Sequence, residues 1–171
     1  MSEPAVNPER EILELMDAHA IPYEIYRHER VFTMEACLGL PFVDENITFC
    51  KNVFLCNRQQ TAYYLLLLRP QKAFRTAVAS KALGVSRLSF APEEALGRLL
   101  KLAPGSVSPL GLYFDKDRAI TLCYEKEVRK TPKIAFHPCN NGATVVFRQE
   151  AFWGRMLPLL GVSPVGVELQ E

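Results

Sequence analysis

Between Asn46 and Pro92 the sequence contains no aspartate or glutamate. The same stretch carries seven basic side chains: Lys51, Arg58, Arg69, Lys72, Arg75, Lys81 and Arg87. Residues 1–45 invert the balance, with ten acidic and three basic side chains, so the net charge of +1 conceals an asymmetry. A block without carboxylates can form a positive surface that attracts phosphate, the usual footprint of a nucleic-acid partner. Spread over several faces, the same charges would form no such surface.

Other absences exclude whole classes. No run approaches the roughly 18 apolar residues of a membrane-spanning helix. The longest, Ala62 to Leu68, is the length of a strand. The N-terminus is acidic and lacks a basic segment followed by an apolar one, so no secretory signal is read and a cytoplasmic location is expected. The five cysteines (Cys37, Cys50, Cys56, Cys123 and Cys139) are odd in number, irregularly spaced and without a CxxC pair. That argues against a disulfide framework, and neither Cys50/Cys56 nor His137/Cys139 has a zinc spacing. Four of the five are expected to be small core residues. A phosphate-binding glycine loop, a dinucleotide fingerprint and a GxSxG elbow are also missing.

What is present suits one globular domain over residues 1–171: 49% of the residues are hydrophobic and 23% charged. Asn7, Pro8 and the acidic Glu9 and Glu11 predict a helix start, with Ile12, Leu15, Met16 and His19 on one face. Ile21 to Tyr26 alternates like a strand. Ile47 to Leu55 and Thr61 to Leu68 predict an antiparallel hairpin around Asn57 to Gln60. Lys72 to Leu83 predicts a helix stopped by Gly84, and Pro92 to Leu102 another with Leu96, Leu99 and Leu100 inward. Leu110 to Phe114 and Ala119 to Tyr124 predict a second hairpin across Asp115 to Asp117. Lys133 to Phe136 and Ala143 to Phe147 predict strands, and Gln149 to about Leu157 a helix. The mixed order predicts an α+β domain around a mainly antiparallel, barrel-like mixed sheet with flanking helices.

Three polar spots stand out. Lys51-Asn52 lies inside an apolar strand. A lysine there either snorkels to water from an edge or forms the cationic wall of a pocket. Gly105-Ser106-Val107-Ser108-Pro109, preceded by Pro104, is either an ordinary turn or a loop whose Ser106 and Val107 N–H groups face a carbonyl oxygen. His137-Pro138-Cys139-Asn140-Asn141 places a histidine in a proline-stiffened loop, either as a structurally satisfied residue or as one that orients water or moves a proton. A Cys139 nucleophile beside His137 is a further reading, although adjacency in sequence does not create a catalytic contact.

Taken in order, Lys51-Asn52, Ser86-Arg87-Leu88-Ser89-Phe90, Gly105 to Pro109 with Gly111-Leu112, Phe136-His137-Pro138 and Asn141-x-Ala143-Thr144 form a set that resembles the YbaK and prolyl-tRNA synthetase editing-domain superfamily, within it the free-standing ProX branch. Thr33-Met34-Glu35-Ala36 resembles the N-terminal pattern of that family, and the similarity runs from about Leu13 to Leu160. Each motif is unspecific alone; the ordered set carries the resemblance. It implies a trans-editing deacylase that cleaves the ester of mischarged tRNA(Pro), foremost Ala-tRNA(Pro), with no metal or other cofactor. Cys-tRNA or another mischarged tRNA on the same fold is the nearest alternative, and a non-catalytic tRNA-binding module an alternative of another class. The resemblance implies Lys51, Asn52 and His137 as catalytic residues. It assigns Gly105, Ser106, Val107, Ser108, Pro109 and Asn141 to substrate binding and Arg87 and Lys81 to tRNA contact. Prolyl-tRNA synthetase is a candidate protein partner; neither a membrane nor DNA is implied. The chain departs from the family at Gly142, where threonine is common, and at Cys139-Asn140.

One tension remains. Adjacent residues of a regular strand face opposite sides, yet the family pattern uses both Lys51 and Asn52. A bulge or a strand end would reconcile them.

Overall fold

The computed structural model describes residues 7–103 and 105–169. Pro104, which opens the predicted loop, lies outside them. Helix α1 (Pro8–Ala18) begins as expected: the Asn7 side chain accepts the Arg10 N–H at 3.1 Å and Pro8 takes the first turn. Ile12 and Met16 are buried on its inner face, whereas His19 is exposed and caps the C-terminal end.

Four strands form one sheet in the order β1 (Glu24–Arg27), β8 (Ala143–Arg148), β7 (Lys133–Phe136), β2 (Ile47–Phe49). Five form the other, in the order β5 (Leu88–Phe90), β3 (Lys51–Asn57), β4 (Tyr63–Leu68), β6 (Ile120–Glu125), β9 (Val165–Val167). Antiparallel pairing joins β1 to β8, β7 to β8, β3 to β4 and β3 to β5, while β2–β7, β4–β6 and β6–β9 are parallel. The architecture is the expected α+β one. Its sheets are open rather than closed into a barrel, and they face each other across one apolar core.

Strand alternation explains the layering. Phe54, Cys56, Leu65 and Leu67 of one sheet meet Ile134, Phe136, Val145 and Phe147 of the other in the shared core. Val53, Leu55, Leu66 and Leu68 point the opposite way, under Ala79 of α3 (Thr76–Leu83). Phe49, Ala135 and Val146 face outward beneath Cys37 of α2 (Met34–Leu38). Both faces of β4 are thus covered, as its apolar run requires.

Several predicted boundaries shift. The strand expected over 47–55 is two strands, broken at Cys50, where the chain passes from one sheet to the other. The helix expected from Lys72 begins only at Thr76, and Gly84 ends it with φ +68°, the left-handed stop predicted. Helix α4 (Glu93–Leu100) buries Leu96 and Leu100 and leaves Leu99 half-buried.

The hairpin expected over 110–124 does not form. Residues Pro109–Phe114 wind into a 3-10 helix, capped by the Ser108 hydroxyl accepting from the Leu110 N–H at 3.2 Å. The Asp115 carboxylate then accepts from the Ala119 and Ile120 N–H groups, fixing the entry to β6. Capping chemistry at Ser108 and Asp115 outweighs the strand propensity of the apolar run between them.

After β8 the chain runs helically as α5 (Gln149–Ala151), a π-wound segment (Phe152–Met156) and α6 (Leu157–Leu160). The wide turn precedes Pro158, which has no N–H to continue a regular ladder. Cys37, Cys50, Cys56 and Cys123 are buried and Cys139 is half-buried, as the composition suggested. Among the described residues no helix is long and apolar enough to cross a membrane.

Candidate active site

The passage between the sheets builds the site. β2 runs beside β7 with Phe49 opposite Ala135, and the Cys50 N–H donates to the Ala135 carbonyl at 3.4 Å. Lys51 then opens β3 opposite Leu68. Strand β5 reaches β3 only at Leu55 to Asn57, and the Ala91 N–H extends that contact to the Phe54 carbonyl. At Asn52 the neighbour is the 105–107 loop instead: the Asn52 amide donates to the Val107 carbonyl at 2.8 Å.

Parity sends Lys51 to the α3 side of the sheet and Asn52 to the core side. Because both sit at the start of the strand, both border one cavity. A strand end, not a bulge, resolves the tension. The cavity has a volume of about 220 Å³ and is lined by Lys51, Asn52, Gly105, Val107 and His137, with apolar walls from Val31, Met34 and Phe49 and a rim that includes Phe32 and Thr33. Three polar spots separated by up to 86 positions in the chain are therefore one place.

Each polar group has a defined state. The Lys51 ammonium donates to the Lys72 carbonyl at 3.2 Å and is half-buried. An ammonium has three donors, so further directions remain for a ligand. The Asn52 amide nitrogen is fixed by Val107, which settles the orientation of the side chain and leaves the buried Oδ1 without a hydrogen-bond partner among the described residues.

His137 follows β7 and falls on the same side as Ala135. Its Nδ1 lies 2.8 Å from the Ala143 carbonyl, and a carbonyl can only accept, so Nδ1 carries the proton. Nε2 is then an acceptor, 3.8 Å from the Cys37 thiol. Burial, with His28 as a smaller contribution, lowers the His137 pKa below 6.5 against the opposing effect of the Ala143 hydrogen bond. Burial also raises the Cys37 thiol, so this is a neutral thiol–imidazole contact rather than an ion pair.

Gly105 has φ +89°, a conformation that favours glycine. The Ser106 N–H is already used, donating to the Ala103 carbonyl at 3.1 Å, so it does not face a ligand as the sequence suggested. The Val107 N–H has no partner among the described residues. Ser108 and Pro109 are buried and shape the loop from behind, Ser108 as the helix cap.

Asn141 is buried behind the cavity wall. Its side-chain amide donates to the Val31 carbonyl at 3.0 Å and its backbone carbonyl accepts the Val31 N–H at 3.2 Å. It holds a wall residue rather than lining the cavity. Lys81 and Arg87 are exposed, on α3 and on its link to β5, and do not line the cavity. The basic block is divided: Arg69 pairs with buried Glu125 through two bonds of 3.0 and 2.9 Å, while Arg75, Lys81 and Arg87 remain on the surface. Cys139 and Gly142 are not among the cavity walls. The Cys139 thiol is pushed up to about 12 by burial and by Glu9, which leaves it protonated at neutral pH.

Sequence reasoning missed Phe32, Met34, Cys37 and Phe49. The one signal for this segment was Thr33-Met34-Glu35-Ala36, which resembles the N-terminal pattern of the family.

Comparisons with known proteins identify the family. The aminoacyl-tRNA editing domain profile matches residues 28–152, a span holding every cavity residue. The prolyl-tRNA editing protein ProX of Acetoanaerobium sticklandii is 29% identical over 140 residues, covering 81% of this chain and 84% of that one. The prolyl-tRNA synthetase associated domain-containing protein 1 of Bos taurus is 30% identical over 140 residues, covering 79% and 80%. The solved structure of a candidate trans-editing enzyme for prolyl-tRNA synthetase shares the fold, with a TM-score of 0.71 at 14% identity over 97% of this chain and 99% of that one. With the profile spanning well over half of the chain and the whole cavity, the chain belongs to the aminoacyl-tRNA editing domain family.

Proposed function

We propose that this protein is a trans-editing deacylase that hydrolyses the ester of mischarged tRNA(Pro), with alanine as the preferred amino acid. The observation that carries the reading is the convergence of Lys51, Asn52, Val107 and His137 on one small cavity. The kinship with the prolyl-tRNA editing protein ProX supports tRNA(Pro) as the carrier, and alanine is the amino acid we propose.

An aminoacyl ester is already activated, so water can attack it without a covalent enzyme intermediate. The protein must supply position and charge stabilisation. The Lys51 ammonium and the Val107 N–H are the donors for the carbonyl oxygen as it gains negative charge. Neutral His137 can accept through Nε2 and so position the substrate or the water once the Cys37 thiol yields that atom. A ribose hydroxyl of the tRNA helps activate the water. Gly105 lets the loop backbone approach the ester closely, and the exposed Arg87 and Lys81 hold the acceptor stem.

The limits of discrimination by size give such an enzyme its purpose. A synthetase pocket sized for proline gains only about 1–3 kcal/mol per methylene against a smaller competitor. A second site too small for proline removes alanine after the fact.

The test is hydrolysis of Ala-tRNA(Pro) beside Pro-tRNA(Pro), with and without a chelator. Chelator-resistant loss of alanine with proline spared is expected. Hydrolysis of Cys-tRNA in preference would move the specificity, and no hydrolysis of any mischarged tRNA would overturn the enzyme reading in favour of a binding module.

A further inference from the structure

Phe32 is 71% exposed, more than any other large hydrophobic residue described. Single exposed apolar side chains are common and mean little alone. This one differs in how its backbone is held and in what it borders.

Both neighbours are anchored. Val31 is buried and joined to Asn141 by two hydrogen bonds. Thr33 caps α2, its hydroxyl accepting the Ala36 N–H at 3.0 Å. The aromatic residue between them is therefore presented on a fixed backbone and not on a loose loop tip. A hydrophobic residue just before a helix cap ordinarily packs against the helix four positions after the cap, here Cys37. The exposure of Phe32 shows that the fold makes no such use of it. Phe90, the next most exposed at 64%, does have an aromatic neighbour, Phe74, at 5.8 Å, and lines no part of the cavity.

Phe32 does line it, at the rim. Gly105 lies beside it on the same lining: a Cβ there would stand 3.8 Å from the Phe32 ring. Anything leaving the cavity beside the Gly105 loop passes the face or edge of this ring. In the proposed substrate the ester joins the amino acid to a ribose hydroxyl of the terminal nucleotide. With the ester at Lys51 and Val107, the ribose lies at the mouth and its base one sugar ring further out.

We infer that Phe32 is the stacking platform for the terminal adenine of the tRNA 3′ end. The inference rests on the deacylase reading and assigns a positioning residue to it. Phe32 reads the base through its π face, so it fixes the ester in the cavity without distinguishing one base from another. Stacking of a base on an aromatic side chain is a standard device for single-stranded ends. Its removal typically costs about 1–3 kcal/mol per base, which converts to a loss of affinity of about 5- to 150-fold.

The experiment uses the full chain and an acceptor-stem RNA carrying 2-aminopurine in place of the terminal adenine and alanine in a non-hydrolysable amide link. Binding to the wild type should quench the 2-aminopurine fluorescence. Phe32→Leu should abolish the quench and weaken binding by about 5- to 150-fold, and Phe32→Trp should restore both. With hydrolysable Ala-tRNA(Pro), Phe32→Leu should raise KM by a similar factor and leave kcat within a few-fold. The side chain is exposed, so the thermal midpoint should not move. A quench that survives Phe32→Leu, or wild-type KM in that variant, overturns the inference while leaving the deacylase reading intact. Failure of the wild type itself to hydrolyse any mischarged tRNA would overturn the deacylase reading instead.

Discussion

Replacing Lys51 by methionine separates the chemistry of the site from its architecture. Methionine keeps most of the aliphatic stem and removes the ammonium. In the folded protein that ammonium makes one hydrogen bond, to the Lys72 carbonyl at 3.2 Å, from a half-buried position. Losing one such bond costs about 1 kcal/mol net, because the desolvation of the charge is relieved at the same time. In a chain of this size that shifts the thermal midpoint by about 2–4 °C. The kinetic effect should be far larger. Removing one preorganised donor to a developing oxyanion typically lowers kcat by about 100- to 1,000-fold, or about 2.7–4 kcal/mol. Single-turnover deacylation of Ala-tRNA(Pro), with thermal unfolding of the same preparations, measures both quantities. A rate within fivefold of wild type refutes the assignment. So does a loss confined to KM with a shallower salt dependence than wild type, which would make Lys51 a phosphate contact instead.

Two further outcomes follow from the site. The folded state holds the His137 pKa below 6.5, so between that lowered value and 6.5 the unfolded chain binds more protons than the folded one. Stability should therefore fall as pH drops through 6.5, and His137→Gln should remove that part of the slope in denaturant titrations at pH 7.5 and 5.5; equal slopes in the two proteins would contradict the buried neutral imidazole. Cys139→Ser should keep deacylation within twofold of wild type, because the thiol is protonated and not a wall of the cavity, whereas abolished activity would revive a thiol mechanism.

Elements decided by local chemistry were legible in the sequence. The Asn7 cap, the Gly84 stop and the paired strands β7 and β8 stand where residue types and alternation put them. Elements decided by a competition were not. Residues 109–114 have a strand-like composition, but Ser108 and Asp115 bind the backbone on either side and curl it into a 3-10 helix. The cavity walls Met34, Cys37 and Phe49 come from a short helix and an edge strand whose apolar residues look like any others. Nothing in their spacing says that they face a hollow.

Lys51-Asn52 shows why a site can be found in a sequence before it can be understood. An isolated lysine and asparagine in an apolar strand signal a conflict with burial, and that conflict is local. Its resolution is not. It requires the chain to leave one sheet at Cys50 and enter the other at Lys51, so that a strand's first two residues, pointing to opposite faces, share an opening. It also requires the Val107 carbonyl, 55 positions away, to take the Asn52 amide and fix its orientation. The consequence is one buried acceptor, Asn52 Oδ1, left unpaired. An unmet buried acceptor typically costs about 1–3 kcal/mol, a substantial fraction of the stability of an ordinary domain. A fold optimised for stability alone would have met it. It sits on a residue that borders the cavity, as do Lys51 and Val107, whose N–H has no partner among the described residues; under the proposed function this is polar capacity held ready for an ester and a water.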